Sequence, residues 1–177
     1  RLAELVTSFK QIAADQHCDE LRVIKLQSHL NDIVKSFKFE SKYKNIAVIS
    51  DIPEDLQVQS FPGTLNQVMT NLLSNTISHA FDDQFDEPRI ELSARNEGSA
   101  VLISIKDNGS GIDEDIQDKI FDPFFTTKRV QKSTGLGLYA VMNLVNQKLE
   151  GTITFESSEG NGTVFYLTLP NLVEKQV

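Results

Sequence analysis

Three stretches of this chain hold residue types able to do chemistry at spacings that would bring them together. The first is "DNGSGI" at residues 107 to 112. Upstream of it Val101, Ile103 and Ile105 alternate with Leu102, Ser104 and Lys106, the period-two pattern of a strand with one buried face. Asp107 falls in the apolar phase. If the strand runs that far, a carboxylate points at the core, where an unpaired charge is costly and calls for a partner. The second stretch is a helical pattern from about Pro62 to Phe81. Leu65, Val68, Met69, Leu72, Leu73, Thr76, Ile77 and Ala80 form its core stripe, and Asn71, Asn75 and His79 recur one turn apart on an adjoining stripe. Asparagine is a mediocre helix former, so propensity does not explain the pair. A solvated polar face would account for it. So would a cation and a phosphate, because an amide oxygen can ligate a hard cation and an amide nitrogen can donate to phosphate.

The third stretch, "STGLGLYA" at 133 to 140, sits where another helix begins. Glycines there let backbone N–H groups approach an anion, which the helix N-terminus favours. An ordinary turn capped by Ser133 or Thr134 would use the same letters. Gly135, Gly137 and Ala140 also satisfy the loose dinucleotide fingerprint, but that motif needs a buried strand just before it, and "TTKRVQK" is polar and basic. No Walker loop is present, and the His-Arg-Asp and Asp-Phe-Gly triplets of eukaryotic-type protein kinases are missing.

Composition narrows the field further. The chain has 177 residues, 40% of them hydrophobic and 24% charged, enough for one domain with a short appendage. A formal net charge of −8 argues against nucleic acid or an anionic membrane surface as the main partner, and it means that a phosphate ligand needs a cation beside it. Cys18 is the single cysteine, which permits no internal disulfide and fits a reducing compartment, and with three histidines it shows no zinc spacing. No apolar run reaches the ~18 residues of a membrane span, and no signal-peptide pattern is present, so the chain reads as soluble. It begins at Arg1 rather than Met and reads as a piece of a longer protein.

The elements that must position these residues are legible from periodicity. Leu2, Leu5, Val6, Phe9, Ile12 and Ala13 make one amphipathic helical stripe; "DQHCDE" interrupts it, and residues 15 to 20 are the expected domain boundary. A second helix follows with Leu26, Leu30, Ile33, Val34 and Phe37 inward, then short strands in "NIAVISDI" and "LQVQSF". After the long helix come strands at 88 to 96 and 100 to 106, an irregular polar stretch at 113 to 133 with a short helical piece around Ile116 to Phe121, a helix marked by Leu138, Val141, Met142, Val145 and Leu149, and a closing hairpin with Gly160 and Gly162 in its turn. The sum is an α+β arrangement with a mostly antiparallel sheet.

"NLLSN" at 71 to 75, "DNGSGI", "FDPFFTTK" at 121 to 128 and "GLGL" at 135 to 138 resemble the N box, first glycine box, F box and second glycine box of sensor histidine kinases, in that family's order and at similar spacing. Each box alone is weak, and the four with "GNGTVFYLTLP" at the end are specific. The resemblance covers roughly residues 40 to 170. It implies a Bergerat-type α/β sandwich, a mixed and mostly antiparallel sheet with helices on one face and ATP between them. Residues 1–20 would be the end of the second helix of a dimerisation hairpin plus linker, and 21–177 the ATP-binding catalytic domain.

Under this resemblance Asp107 accepts a hydrogen bond from the exocyclic amine of adenine, with Thr163 nearby and inward-pointing in phase with Phe165 and Leu167. Asn75 holds a Mg²⁺ that bridges the phosphates, Asn71 belongs to the catalytic machinery, and His79 lies beside the ribose or phosphate tail. Gly109, Gly111 and Ile112 of the first glycine box, Thr127 and Lys128 of the F box, and Thr134, Gly135, Leu136, Gly137 and Leu138 at the second glycine box complete the nucleotide site. Residues 122 to 134 would form an ATP lid, with Phe124 and Phe125 packing its base, and Lys128, Arg129 or Lys132 meeting phosphate charge. The implied partners are ATP, the protein's own dimerisation and phosphoacceptor domain and a response regulator receiver domain, in a cytoplasmic setting. The parent would be a homodimer and this piece alone a monomer.

The chain departs from the family pattern in several places. No histidine is followed by an acidic residue, so the phosphoacceptor lies outside it. Ser78 stands where family members often carry Lys or Arg, Thr76 where alanine is usual, and Glu150 where a second glycine often precedes Gly151. Asn71 occupies the place of the water-activating glutamate of ATP-hydrolysing relatives, and an amide is no general base at neutral pH. The reading is therefore a Mg·ATP-dependent protein histidine kinase domain. The alternatives are an ATPase or serine-directed kinase of the same fold, or a catalytically silent interaction module that kept the fold.

Overall fold

A computed structural model of the chain describes residues 19–38, 45–81, 85–127 and 134–171. In chain order the elements are β1 (Arg22–Lys25), α1 (Leu26–Lys38), β2 (Ala47–Asp51), β3 (Gln57–Ser60), α2 (Pro62–Ala80), β4 (Arg89–Asn96), β5 (Ala100–Asp107), the short α3 (Glu114–Gln117), α4 (Gly137–Gln147), β6 (Thr152–Ser157) and β7 (Thr163–Pro170). The amphipathic stripe from Leu2 to Ala13 lies outside the described residues. Five strands form one sheet in the order β2-β4-β5-β7-β6, with β2 parallel to β4 and the other neighbours antiparallel. This is the mixed, mostly antiparallel α+β arrangement that the sequence implies.

Two strands sit elsewhere. β3 pairs antiparallel with β1 in a separate two-stranded sheet, and β1 itself has no counterpart in the sequence reading. Its four residues bury only Ile24 and run straight into α1, so alternation has no length in which to show. The core lies between the large sheet and the helices. Leu65, Val68, Met69 and Leu72 of α2 and Val141, Leu144 and Val145 of α4 are buried with Ile90, Ile103, Ile105 and Leu167 of the strands. Each such side chain contributes about 1.5–3 kcal/mol on leaving water.

Pro62 occupies the first turn of α2, as its fixed φ and missing N–H allow. Phe61 at the N-cap has no side chain that can accept a hydrogen bond, and Asp19 supplies that cap from far back in the chain. Its carboxylate accepts the N–H of Gly63 at 3.0 Å and that of Thr64 at 2.6 Å, and also the Thr64 hydroxyl at 2.8 Å. A carboxylate there both satisfies orphan donors and meets the positive end of the helix. Asp19→Ala is expected to destabilise the protein by about 1–2 kcal/mol. Urea unfolding of the two proteins checks this, and unchanged midpoints would show that the cap adds nothing.

Beyond α4, Gly151 donates to the Val145 carbonyl at 2.9 Å and Glu150 adopts φ +52°. An L-residue pays about 1–2 kcal/mol for that left-handed conformation, which is why glycine suits the position. The short helix also shifts. It covers Glu114–Gln117, capped by the Asp113 carboxylate on Asp115 N–H at 2.9 Å, rather than residues 116 to 121. Single turns then continue the winding, Lys119 N–H to Ile116 at 2.9 Å and Asp122 N–H to Lys119 at 2.9 Å, which is why Ile116 and Phe121 keep a helical spacing. Phe121 meets Phe155 of β6 edge-on with ring centres 6.0 Å apart, anchoring this segment to the sheet.

Phe124 and Phe125 do not act as a pair. Phe125 packs against the core, whereas Phe124 is 59% exposed at φ +67°. The turn closed by Phe125 N–H on the Asp122 carbonyl, 3.3 Å, directs successive side chains apart, and Phe125 takes the inward place.

Candidate nucleotide site

Asp107 ends β5 opposite Ile90 of β4, and its phase carries the carboxylate inward, to 3% exposure. Oδ1 accepts the N–H of Gly109 at 2.9 Å and that of Thr163 at 3.2 Å. Oδ2 receives no hydrogen bond from the described residues, and the side chain forms part of the wall of a cavity of about 620 Å³, in the size range of small-molecule sites. Half of the carboxylate is thus committed to the fold and half is open to a donor. Burial pushes its pKa above the ordinary carboxylate range, against the pull of the Gly109 and Thr163 N–H groups.

The loop after Asp107 is strapped down on both sides. Asn108 accepts the Arg89 N–H at 2.8 Å and donates to the Glu87 carbonyl at 3.1 Å, fixing the exit of β5 against the start of β4. Gly160 N–H reaches the Ser110 carbonyl at 2.7 Å, and Ile112 N–H reaches Ser157 Oγ at 2.9 Å, tying the loop to the β6–β7 hairpin. Gly111 lies between these straps at φ +73°, where a Cβ would strike the Ser158 carbonyl. Only glycine permits this approach.

The opposite wall comes from α2 and from the first turn of α4. Asn75 and His79 stand on the cavity face of α2, and Thr134, Gly135, Gly137 and Leu138 close the cavity from the α4 side. The Asn75 amide makes no hydrogen bond with the described residues, and its Nδ2 is buried. A Cβ on Gly137 would stand 3.1 Å from that nitrogen, so the absent side chain keeps the amide clear. Thr134 does not cap α4. The N-cap is Leu136, with no side-chain hydrogen bond among the described residues, which leaves the first-turn N–H groups open toward the cavity side. His79 Nδ1 lies 3.3 Å from Thr127 Oγ1, joining α2 to the end of the F-box segment.

The other residues singled out by the sequence lie at varying distances from this cavity. Ile112, Thr127 and Thr163 line it, while Gly109 and Leu136 lie behind its wall, the first holding Asp107 and the second buried at the head of α4. Asn71 sits one turn back along α2, half-buried and off the cavity wall. Lys128, Arg129 and Lys132 lie outside the described residues. Ser157 and Asn108 were absent from the sequence reading, although Ser157 had a signal. It occupies the same phase of β6 as Ile153 and Phe155, a polar residue at an inward position, as Asp107 is on β5.

Comparison with known proteins bears on what such a cavity holds. Residues 62–172 match the family model described as histidine kinase-, DNA gyrase B- and HSP90-like ATPase. Sensor histidine kinase ZraS of Escherichia coli (strain K12) is 33% identical over 177 residues, covering 99% of this chain and 36% of its own length. Sporulation kinase E of Bacillus subtilis (strain 168) is 31% identical over 173 residues, covering 96% of the chain and 22% of its own length. The chain therefore spans about a third or less of these relatives. Among solved structures, the catalytic domain of histidine kinase ThkA superposes with a TM-score of 0.72 at 28% identity, over 86% of this chain and 96% of that one. The chain belongs to the histidine kinase-, DNA gyrase B- and HSP90-like ATPase family, as an ATP-binding domain of the sensor histidine kinase type.

Proposed function

We propose that this chain binds Mg·ATP in the cavity and, within its parent protein, delivers the γ-phosphoryl group to a histidine of a dimerisation domain that lies outside residues 21–177. The observation that carries the reading is Asp107, a buried carboxylate with Oδ1 held by two backbone N–H groups and Oδ2 open to the cavity. Adenine presents an amine donor to such an oxygen, and guanine an acceptor.

Asn75 fits a hard cation. Its amide makes no hydrogen bond with the described residues, which leaves the oxygen for an ion, and it lies beside the start of α4, where no side chain among the described residues caps the first turn. No group of three His, Cys, Asp or Glu that could hold a metal occurs among the described residues, so an ion at Asn75 would take most of its ligands from phosphate oxygens and water, the habit of Mg²⁺. Bound there, it would screen the triphosphate and polarise the γ-phosphoryl group. The chain's own contributions are the Asp107 oxygen for the base, the open N–H groups of Gly137 and Leu138 for phosphate, and the His79–Thr127 contact at the mouth. In transfer, a histidine nitrogen bonds to the γ-phosphorus while the bond to the β-γ bridging oxygen breaks and ADP leaves with the electron pair.

Hydrolysis is disfavoured because α2 carries no carboxylate at all: Asn71 stands where a general base would. The proposed partners are the parent's own dimerisation domain and a response regulator receiver domain, on the cytoplasmic side where ATP is available. No described helix is long and apolar enough to cross a membrane. Incubating the parent protein with labelled ATP is expected to give acid-labile, alkali-stable phosphate on the protein. Steady phosphate release with no labelled protein would move it to the ATPase branch, and acid-stable label on serine to the serine-kinase branch. No nucleotide binding at all would leave an interaction module.

A further inference from the structure

Ser157 stands at the end of β6 with its hydroxyl at the centre of three contacts. It accepts the Ile112 N–H at 2.9 Å, donates to the Gly162 carbonyl at 2.9 Å, and lies 2.9 Å from Thr163 Oγ1. A hydroxyl has one proton and two lone pairs. The Gly162 carbonyl can only accept and Gly162 is buried, so the Ser157 proton belongs there; leaving that carbonyl unpaired would cost the full desolvation penalty. Ile112 N–H uses one lone pair. The remaining lone pair can only receive, so Thr163 must donate its own hydroxyl proton to Ser157.

That assignment fixes what Thr163 shows to the cavity. With its proton turned back to Ser157, Oγ1 presents lone pairs only, next to the Asp107 carboxylate whose Oδ1 is held by Thr163 N–H at 3.2 Å. We infer that Ser157 is a positioning residue that sets the polarity of the base pocket: it holds Thr163 as an acceptor, so that Asp107 Oδ2 and Thr163 Oγ1 can each take one of the two protons of a six-amino group, directly or through a water, and both face lone pairs when the six position carries an oxygen. Ser157 never touches the nucleotide in this scheme. Gln117 supports it, its Nε2 donating to the Ser157 carbonyl at 3.2 Å and to the Ile112 carbonyl at 2.9 Å.

This inference rests on the reading of the cavity as an ATP site. In Ser157→Ala the Thr163 proton loses its acceptor and is free to point into the cavity, so Thr163 can donate to a carbonyl oxygen. Titration calorimetry with ATP and with GTP, at one Mg²⁺ concentration, tests the scheme. The wild-type protein is expected to prefer ATP. Ser157→Ala is expected to bind ATP roughly tenfold more weakly while the ATP:GTP preference narrows roughly tenfold or more, and Ser157→Thr, which keeps the hydroxyl, to restore it. A merely structural serine would weaken both nucleotides by the same factor, and that result overturns the inference. If Ser157→Ala does not fold, Thr163→Val is measured instead, since it removes the acceptor and keeps the volume; an unchanged ATP:GTP preference there is equally fatal. Failure of the wild-type protein to bind ATP at all would instead sink the functional reading beneath it.

Discussion

Asp107→Asn is expected to lower ATP affinity by a hundredfold or more, about 3 kcal/mol, while leaving the fold no less stable than before. The asparagine oxygen can take over the N–H groups of Gly109 and Thr163 that Oδ1 now accepts. The nitrogen then faces the cavity, donor against donor, where the carboxylate offered an acceptor. Stability should move the other way. The Asp107 pKa is raised by burial, so the ionised form costs folding free energy at neutral pH. Above the folded-state pKa the variant is therefore the more stable protein. As pH falls through that raised value toward the ordinary carboxylate range, the native state takes up a proton that the unfolded state does not yet bind, and the difference between the two proteins shrinks. Calorimetric titration and thermal melts at several pH values check both halves. Unchanged ATP affinity would remove the assignment of Oδ2, and a large loss of stability at pH 7 would mean that the carboxylate charge is structural.

Asn75→Ala carries the second large effect. The variant is expected to retain part of the nucleotide affinity through the base pocket, to lose the dependence of that affinity on Mg²⁺, and to lose phosphoryl transfer by a hundredfold or more, about 3 kcal/mol of transition-state stabilisation. The fold should survive, because the amide has no partner among the described residues whose loss would be felt. Removing an unsatisfied buried Nδ2 is, if anything, favourable. ATP titrations with and without Mg²⁺ decide the point. If the ion strengthens binding equally before and after the substitution, Asn75 does not hold it.

Much of the fold was legible because each large element keeps one period over many residues. α2 places Leu65, Val68, Met69, Leu72 and Leu73 inward over its 19 residues, and β5 alternates as far as Asp107. What could not be read was non-local. Nothing in the letters says that β7 lies between β5 and β6, that β2 runs parallel to β4, or that Asp19 caps a helix beginning at Pro62. β1 failed through shortness, and Phe124 failed because a turn at positive φ reverses the side that composition would assign.

The site shows the same division. Asp107 and Thr163 announced themselves as polar residues in an apolar phase, and both are buried together. The same rule applied to β6 would have found Ser157. Asn71 and Asn75 looked alike on one stripe, yet only Asn75 lines the cavity, where Gly137 of α4 comes up against its amide. That no side chain among the described residues caps the head of α4 could not be read either, since Thr134 is as good a cap as any in sequence and only the backbone shows that Leu136 holds that place.

The most direct measurement is a structure of the chain with Mg²⁺ and a non-hydrolysable ATP analogue. Hydrogen-bond contact, about 2.8–3.0 Å, between the adenine amine and Asp107 Oδ2 is the result that this account predicts. Adenine seated elsewhere, or Oδ2 paired to another part of the chain with the cavity empty of the base, would contradict it.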